Sequence, residues 1–266
     1  MRKQIYVVAL SLSLFLVGCS TVALTGRKQL LLVSDEEVLS LSNQGFSDYM
    51  KSAKPSSNTQ NSIMVQRVGR RIATAVETYL KSVGRQADIA HFAWEFHLVK
   101  DSSPNAFCMP GGKIVVNEGI LPYTKSENGL AIVLGHEVAH AVAKHSAERI
   151  SHQMVKSYGG EVLGLALSKK SPVTQMLAQQ VYGLGAEYGV MLPYSRANES
   201  EADELGLIFA AMAGYNPDVA VEFWERMSAG SAGAVPEFLS THPSGTTRIA
   251  RIKQLLPKAR SYYRPR

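Results

Sequence analysis

Residues 130–140 read LAIVLGHEVAH, and this stretch decides how the rest of the chain is interpreted. Its first five residues, 130–134, are apolar and predict a buried helix, which continues through the more polar residues 135–140. In a helix, residues four apart lie one above the other, so His136 and His140 can present two imidazoles to one metal ion. Glu137 lies beside them, where a carboxylate can take a proton from a water at the metal. A plain pair of buried histidines is the alternative that this stretch alone leaves open.

A second stretch, SRANESEAD at 195–203, can supply the third protein ligand that a hydrolytic zinc site needs beside its open position for water. Its acidic residues Glu199 and Asp203 share one helix face with small residues, namely Ala202, Gly206, Ala210 and Ala213. Because small residues let this helix pack close to the histidine helix, we predict Glu199 as the metal ligand. Asp203 would accept a hydrogen bond from the free ring nitrogen of a ligating histidine. Glu201, on a different and more apolar side, is the alternative ligand.

Four stretches resemble one known family, in the order in which they occur. They are NAFCMPGG at 105–112, HEVAH at 136–140, SRANESEAD at 195–203, and THP at 241–243 with Arg248 after it. Together they look like the zinc metallopeptidase family of the CAAX prenyl proteases, which is of the gluzincin type. The chain is most similar to the exported bacterial lipoprotein branch, because it lacks the multiple transmembrane helices of the integral-membrane members.

This resemblance implies a zincin-like domain and a zinc endopeptidase that acts on polypeptide substrates. One zinc ion per chain would be held by His136, His140 and Glu199. Zinc lowers the pKa of water towards ~7, and Glu137 would take the proton and pass it to the leaving amine. The alternative function is a chaperone-like or binding envelope factor with a latent or structural zinc, although a pure binder has no need of Glu137.

His242 and Arg248 follow the third-ligand helix and have several open roles. His242 could donate a hydrogen bond to the developing oxyanion, occupy the open zinc position and hold the enzyme latent, or cap the last helix from a loop. Arg248 could support the oxyanion or anchor the loop through a salt bridge. His145 is five residues past His140, about 140° around a continuous helix, so we do not expect it to reach the metal.

Hydrophobic periodicity predicts an α+β domain with many helices and few strands. The predicted helices are 34–50, 62–83, 127–151, 196–213, 217–227 and 246–256, and the predicted strands are 94–99 and 113–117. We expect 113–117 to be an edge strand whose residues Ile114, Val115 and Val116 pair with extended substrate. The apolar, glycine-rich residues 159–193 predict a helical pair that serves as core, as a lid or as a membrane-facing surface.

The N-terminus has the layout of an export signal. Arg2 and Lys3 precede an apolar run at 5–17 that is shorter than the roughly 20 residues of a membrane-spanning helix. LVGC at 16–19 resembles a bacterial lipobox, so we expect cleavage after residue 18 and lipid on Cys19, which anchors the chain in the membrane. Ser20, where an aspartate would retain a lipoprotein at the inner membrane, favours the outer membrane facing the periplasm. An ordinary signal followed by a chance cysteine is the alternative.

Composition narrows the kinds of partner and of disulfide cross-link that the chain can have. The chain has 45% hydrophobic residues and a net charge of +6 from 28 basic and 22 acidic side chains. No basic stripe or nucleic-acid-binding module accompanies that charge, so we predict no nucleic-acid partner. Two cysteines give no disulfide framework, and Cys108 between apolar neighbours is predicted to be buried. The predicted organisation is a signal peptide at 1–18, a lipidated cysteine and tether at 19–33, a metallopeptidase domain at 34–258 and a basic tail at 259–266.

Overall fold

The computed structural model describes residues 19–22, 25–154, 195–229, 237–242 and 245–265. Its helices are α1 (Asp35–Ser52), α2 (Thr59–Ser82), α3 (Leu121–Thr124), α4 (Glu127–Val142), α5 (Arg196–Met212), α6 (Val219–Ala229), α7 (Glu237–Thr241) and α8 (Thr246–Tyr262). Its strands are β1 (Cys19–Thr21), β2 (Lys28–Leu30), β3 (Glu95–Val99), β4 (Ala106–Met109) and β5 (Lys113–Asn117). The α+β prediction is confirmed. The predicted helical pair at 159–193 lies outside the described residues.

The three-stranded sheet has the order β3-β5-β4, so β5 lies at its centre. It pairs in parallel with β3 and antiparallel with β4, and all five of its residues are buried. The prediction of an edge strand at Ile114, Val115 and Val116 is therefore wrong. The predicted strands do not include residues 106–109, which form β4, and Gly111 and Gly112 connect β4 to β5 with φ values of 88° and 86°.

Helix α4 carries the HEVAH stretch and ends earlier than predicted. Its first turn is capped by Ser126, whose hydroxyl accepts a hydrogen bond from the Gly129 amide. The helix ends at Val142, and Lys144 adopts a left-handed conformation with φ of 58° before residues 145–154 continue as helix. A single helix over 127–151 is thus wrong, because the left-handed residue breaks the axis between His140 and His145.

Helices α4 and α5 pack directly against each other, as the small-residue face of α5 predicts. Their backbones meet at Gly135 and Gly206, where neither residue has room for a side chain. The apolar residues around this contact belong to the main hydrophobic core, together with α2, the sheet, α6 and α8. This packing fixes the position of every polar side chain on the facing sides of α4 and α5.

The N-terminal segment predicted as a tether is folded. Strands β1 and β2 form a hairpin, and Ser34 then starts α1 with a capping box to Glu37, as its sequence predicts. At the other end, α8 continues past the predicted end at residue 256 as far as Tyr262, and Ala259 is buried.

Cys108 is buried as predicted, and burial raises the pKa of its thiol well above the ordinary value. No helix in the described ranges is both long enough and apolar enough to span a membrane.

Candidate metal centre

Four buried side chains converge where α4, α5 and the end of α7 meet. They are His136, His140, Glu199 and His242, and we call them the donor cluster. One potential ligand atom from each lies within 4.8 Å of the other three. The sequence placed three of these residues together as zinc ligands and left the position of His242 open.

The inner geometry of the donor cluster fits a zinc ion. The Nε2 atoms of His136 and His140 lie 3.1 Å apart, and the Glu199 carboxylate oxygens lie 3.5 Å and 3.3 Å from these two nitrogens. Two imidazole nitrogens and a carboxylate that face one buried point are a common ligand set of catalytic zinc. The donor chemistry therefore fits the metal that the sequence predicts.

Two members of the donor cluster, His140 and Glu199, have protonation states that suit a metal, whereas the pKa of His136 is raised, because the hydrogen bonds to Asp203 and Glu199 outweigh the lowering by burial. Burial lowers the pKa of His140 well below its ordinary value, which keeps the imidazole in the neutral form that binds metals. Burial alone would raise the pKa of Glu199, but the positive potential of His242 and the hydrogen bonds from His136 and His140 lower it. The carboxylate is therefore ionised throughout the physiological pH range.

Asp203 and Arg248 hold the outer side of His136. Asp203 Oδ1 lies 3.0 Å from His136 Nδ1, which leaves Nε2 for the donor cluster. The Arg248 guanidinium donates two hydrogen bonds to Asp203, from Nε at 2.9 Å and from Nη2 at 2.6 Å. It also lies 3.5 Å above the Trp224 ring and donates to the His242 carbonyl oxygen at 3.2 Å. These contacts correspond to the loop-anchoring role of Arg248 rather than to a free oxyanion donor.

Glu137 lies next to the donor cluster without belonging to it. Its buried Oε1 has no hydrogen-bond partner among the described residues, although His242 Nε2 lies 3.4 Å away. Burial raises the pKa of Glu137 to about 7, and the positive potential of His242 partly opposes this rise. A carboxylate with a free oxygen and a pKa near neutrality has the properties of a general base.

His242 projects its ring into the donor cluster. Its Nδ1 lies 3.0 Å from Glu199 Oε1 and 3.1 Å from His136 Nε2. The N-cap residue of α8 is Gly245, so His242 does not cap that helix. Its position matches that of a fourth metal ligand or of a side chain directly over the metal.

Two groups of predicted residues lie elsewhere. Glu201, the alternative ligand, points away from the donor cluster and contacts His145 and Arg27 at 2.8 Å and 2.7 Å. Residues 114–116 lie in the central strand of the sheet.

As predicted, His145 does not belong to the donor cluster, but the sequence does not predict that it lies 2.8 Å from His140 through their Nδ1 atoms. The left-handed Lys144 breaks the helix and turns His145 back towards His140, and no residue pattern around Lys144 predicts that break.

These features define a buried zinc centre of the metallopeptidase class. The description "Peptidase family M48" matches residues 68–256, more than half of the chain, and the chain belongs to this family. The predicted resemblance is thereby confirmed for the family as a whole. The CAAX and lipoprotein branches stay predictions.

The chain is also similar to several individual proteins. The chain is 40% identical to the mitochondrial metalloendopeptidase OMA1 of Schizosaccharomyces pombe over 69% of its own length and 53% of the relative. It is 31% identical to the human mitochondrial metalloendopeptidase OMA1 over 89% of its length and 45% of the relative. It is 28% identical to the beta-barrel assembly-enhancing protease of Escherichia coli over 67% of its length and 39% of the relative. The chain thus spans about half or less of these relatives.

Proposed function

We propose that this chain is an active zinc endopeptidase. The observation that carries the proposal is the pairing of a convergent donor cluster with Glu137, a buried carboxylate whose Oε1 is free to accept a proton. His136, His140 and Glu199 would hold one zinc ion, which would lower the pKa of water and polarise the scissile carbonyl. Glu137 takes the proton of the attacking water and delivers it to the leaving amine.

The outer contacts of His136 support the same roles. A histidine that gives its Nε2 to a metal carries its proton on Nδ1, and Asp203 is in place to accept that proton in a hydrogen bond. Arg248 neutralises Asp203 and orients it through two hydrogen bonds. Asp203 and Arg248 are therefore positioning residues rather than catalytic ones.

We infer that β4, and not β5, is the strand along which substrate lies. In the antiparallel ladder, Asn117 donates to the Asn105 carbonyl, so odd-numbered residues of this stretch bond to β5. The backbone groups of Ala106 and Cys108 therefore point away from β5, and the Cys108 amide hydrogen-bonds to Glu137, which partly opposes the rise that burial causes in the pKa of that carboxyl. Extended substrate that pairs with β4 would place its scissile bond beside Glu137 with little demand on sequence.

The second candidate is a binding or chaperone-like factor whose zinc is latent. The observation that favours it is His242 Nδ1, which lies among the donor atoms and can fill the position that water needs. This arrangement is also compatible with an endopeptidase that is active only when His242 moves.

We further propose that the chain acts on envelope proteins, including misfolded ones, while tethered to the membrane through lipid on Cys19. The lipobox-like residues 16–19 support the tether. The name of the Escherichia coli relative supports a bacterial envelope setting, whereas the OMA1 relatives are mitochondrial. The outer membrane facing the periplasm is the location that Ser20 favours.

Casein cleavage by the purified full chain tests the proposed activity. We expect Glu137→Gln to reduce cleavage by at least ~100-fold, because a general base contributes that much or more, while zinc stays bound. Glu204→Gln, on the outer side of α5 where Glu204 pairs with Lys258, is the control that should retain activity. Equal activity of wild type and Glu137→Gln, or no activity even after His242→Ala, would contradict the proposal.

The tether has its own test. Cys19→Ala should move the protein from the membrane fraction to the soluble fraction, whereas Cys108→Ala should leave it with the membrane. Retention of Cys19→Ala in the membrane fraction would show that the lipid anchor is not what holds the chain there.

A further inference from the structure

A network of buried hydrogen-bonding groups leads outward from the donor cluster through His140. His140 Nδ1 lies 2.8 Å from His145 Nδ1, and His145 Nε2 lies 2.8 Å from Glu201 Oε2. Arg27 Nε donates to the same Glu201 oxygen at 2.7 Å. The side chain of His145 is fully buried, that of Glu201 is 4% exposed and that of Arg27 is 24% exposed.

Arg27 lies at the centre of the outer part of this hydrogen-bond network. Its two terminal nitrogens donate to both Glu148 oxygens at 2.7 Å each, while Nε reaches Glu201. Asn198 donates to Glu148 at 2.8 Å, and Thr25 donates to Glu201. One planar guanidinium thus joins two carboxylates from different helical segments, a geometry that a lysine cannot reproduce.

The hydrogen bonds of this network are consistent with only one arrangement of protons on neutral imidazoles. If His140 gives its Nε2 to a metal, its Nδ1 carries the proton and donates to His145 Nδ1. His145 then carries its own proton on Nε2 and donates it to Glu201. Glu201 Oε2 also accepts a hydrogen bond from Arg27 Nε, so the carboxylate is the acceptor that this arrangement requires.

Local backbone structure explains how these groups meet. The left-handed Lys144 breaks the helix after α4, so that His145 faces back towards His140. Arg27 follows Gly26, whose φ of 74° lets the β1–β2 loop turn, and the Arg27 carbonyl accepts from the Val22 amide at 2.8 Å. The N-terminal hairpin therefore presents Arg27 to the interior.

We propose that Arg27 and Glu201 are positioning residues of the metal centre, which act through His145 to fix the ring orientation and tautomer of His140. The N-terminal hairpin is thereby part of the metal centre and not only a connection to the membrane. This inference rests on the proposed function, because it takes His140 to be a zinc ligand. Nothing in the HEVAH stretch itself predicts it.

Zinc affinity measured on the purified full chain by competition with a chromophoric chelator tests the inference without relying on activity. We expect Glu201→Gln and Arg27→Gln each to weaken zinc binding by about 10-fold, the lower end of the effect of outer hydrogen-bond partners. Lys28→Gln, next to Arg27 but with an exposed side chain that donates to Thr21 within the hairpin, is the matched control and should bind zinc like wild type. Glu204→Gln is the corresponding control for Glu201.

A spectroscopic measurement separates positioning from simple structural support. With Co²⁺ in place of zinc, the visible absorption bands should shift in Glu201→Gln and Arg27→Gln, because the basicity of His140 changes, and should stay unchanged in the two controls. The double variant Arg27→Gln/Glu201→Gln should weaken zinc binding no more than the larger single effect, since both residues act through His145.

The outcomes distinguish this inference from the proposed function. If wild type binds zinc and the two variants bind it equally well, the inference is overturned even if the metal-free variants unfold more easily. If wild type itself binds no zinc, the proposed function fails and the inference fails with it. Should Arg27→Gln not fold, Glu201→Gln and Arg27→Lys carry the test, and Arg27→Lys is expected to weaken zinc binding although the charge is kept.

Discussion

Gly206 of α5 lies directly against Gly135 of α4. A Cβ atom added to Gly135 would come within 2.6 Å of the Gly206 carbonyl oxygen, and one added to Gly206 would come within 2.7 Å of the His136 amide nitrogen. Because these contacts are with backbone, no side-chain rotation can relieve them. This contact sets the distance between the helix that carries His136 and His140 and the helix that carries Glu199.

We therefore expect Gly206→Ala to separate α4 from α5. Overpacking of this kind should lower the free energy of unfolding by about 1–3 kcal/mol, and zinc affinity should fall because Glu199 moves away from the histidines. Chemical denaturation and chelator competition measure the two effects. Gly245→Ser is the control, since a Cβ at Gly245 meets nothing within 4 Å. Equal zinc binding in both variants would show that the close contact does not set the ligand geometry.

The same contact explains why part of the site could be predicted from the sequence. The small-residue face of α5 favoured Glu199 over Glu201, and periodicity alone identifies such a face. The position of His145 could not be predicted, because it depends on one left-handed residue, Lys144. The central position of β5 was missed for a similar reason, since a four-residue strand beside a turn has too little periodic pattern to be recognised.

Replacing Arg248 by lysine tests whether the shape of the guanidinium, and not only its charge, is needed at the metal centre. Arg248→Lys keeps the positive charge but loses the double hydrogen bond to Asp203 and the stacking on Trp224. We expect a loss of about 2 kcal/mol or more in the free energy of unfolding, and zinc binding about 10-fold weaker because His136 loses its orientation. Arg260→Lys on the same helix, where Arg260 pairs with Asp218 at the surface, should change neither quantity. Wild-type zinc affinity in Arg248→Lys would contradict the positioning role.

His242 provides a prediction about latency. Since His242 Nδ1 lies among the donor atoms, we expect His242→Ala to open the fourth position for water, to raise the rate of casein cleavage and to weaken zinc binding. His91→Ala, which lies outside the donor cluster, is the control for removing an imidazole. A fall in kcat of about 100-fold or more with unchanged zinc affinity would instead identify His242 as an oxyanion donor.

Glu137 predicts an unusual pH dependence of stability in the metal-free chain. Burial raises its pKa from 4.5 to about 7 in the folded state. A raised carboxyl pKa means that the group's contribution to stability is fully present below pH 4.5 and is lost as the pH rises through about 7.

Glu137→Gln removes this loss because the amide stays neutral at every pH. Relative to wild type, we expect the variant to gain stability on the order of 3 kcal/mol between pH 4.5 and pH 8, measured by denaturation in the presence of a chelator. For Glu127, on the same helix, we expect the contribution to stability to change with pH in the opposite direction, because the hydrogen bond from Arg67 lowers the pKa of the Glu127 carboxyl. The stability that Glu127 contributes is present above pH 4.5 and is lost as the pH falls, so Glu127→Gln should become less stable relative to wild type as the pH rises. A pH-independent difference between wild type and Glu137→Gln would show that the folded protein does not hold this carboxyl in its neutral form, and would remove the argument that burial prepares it as a general base.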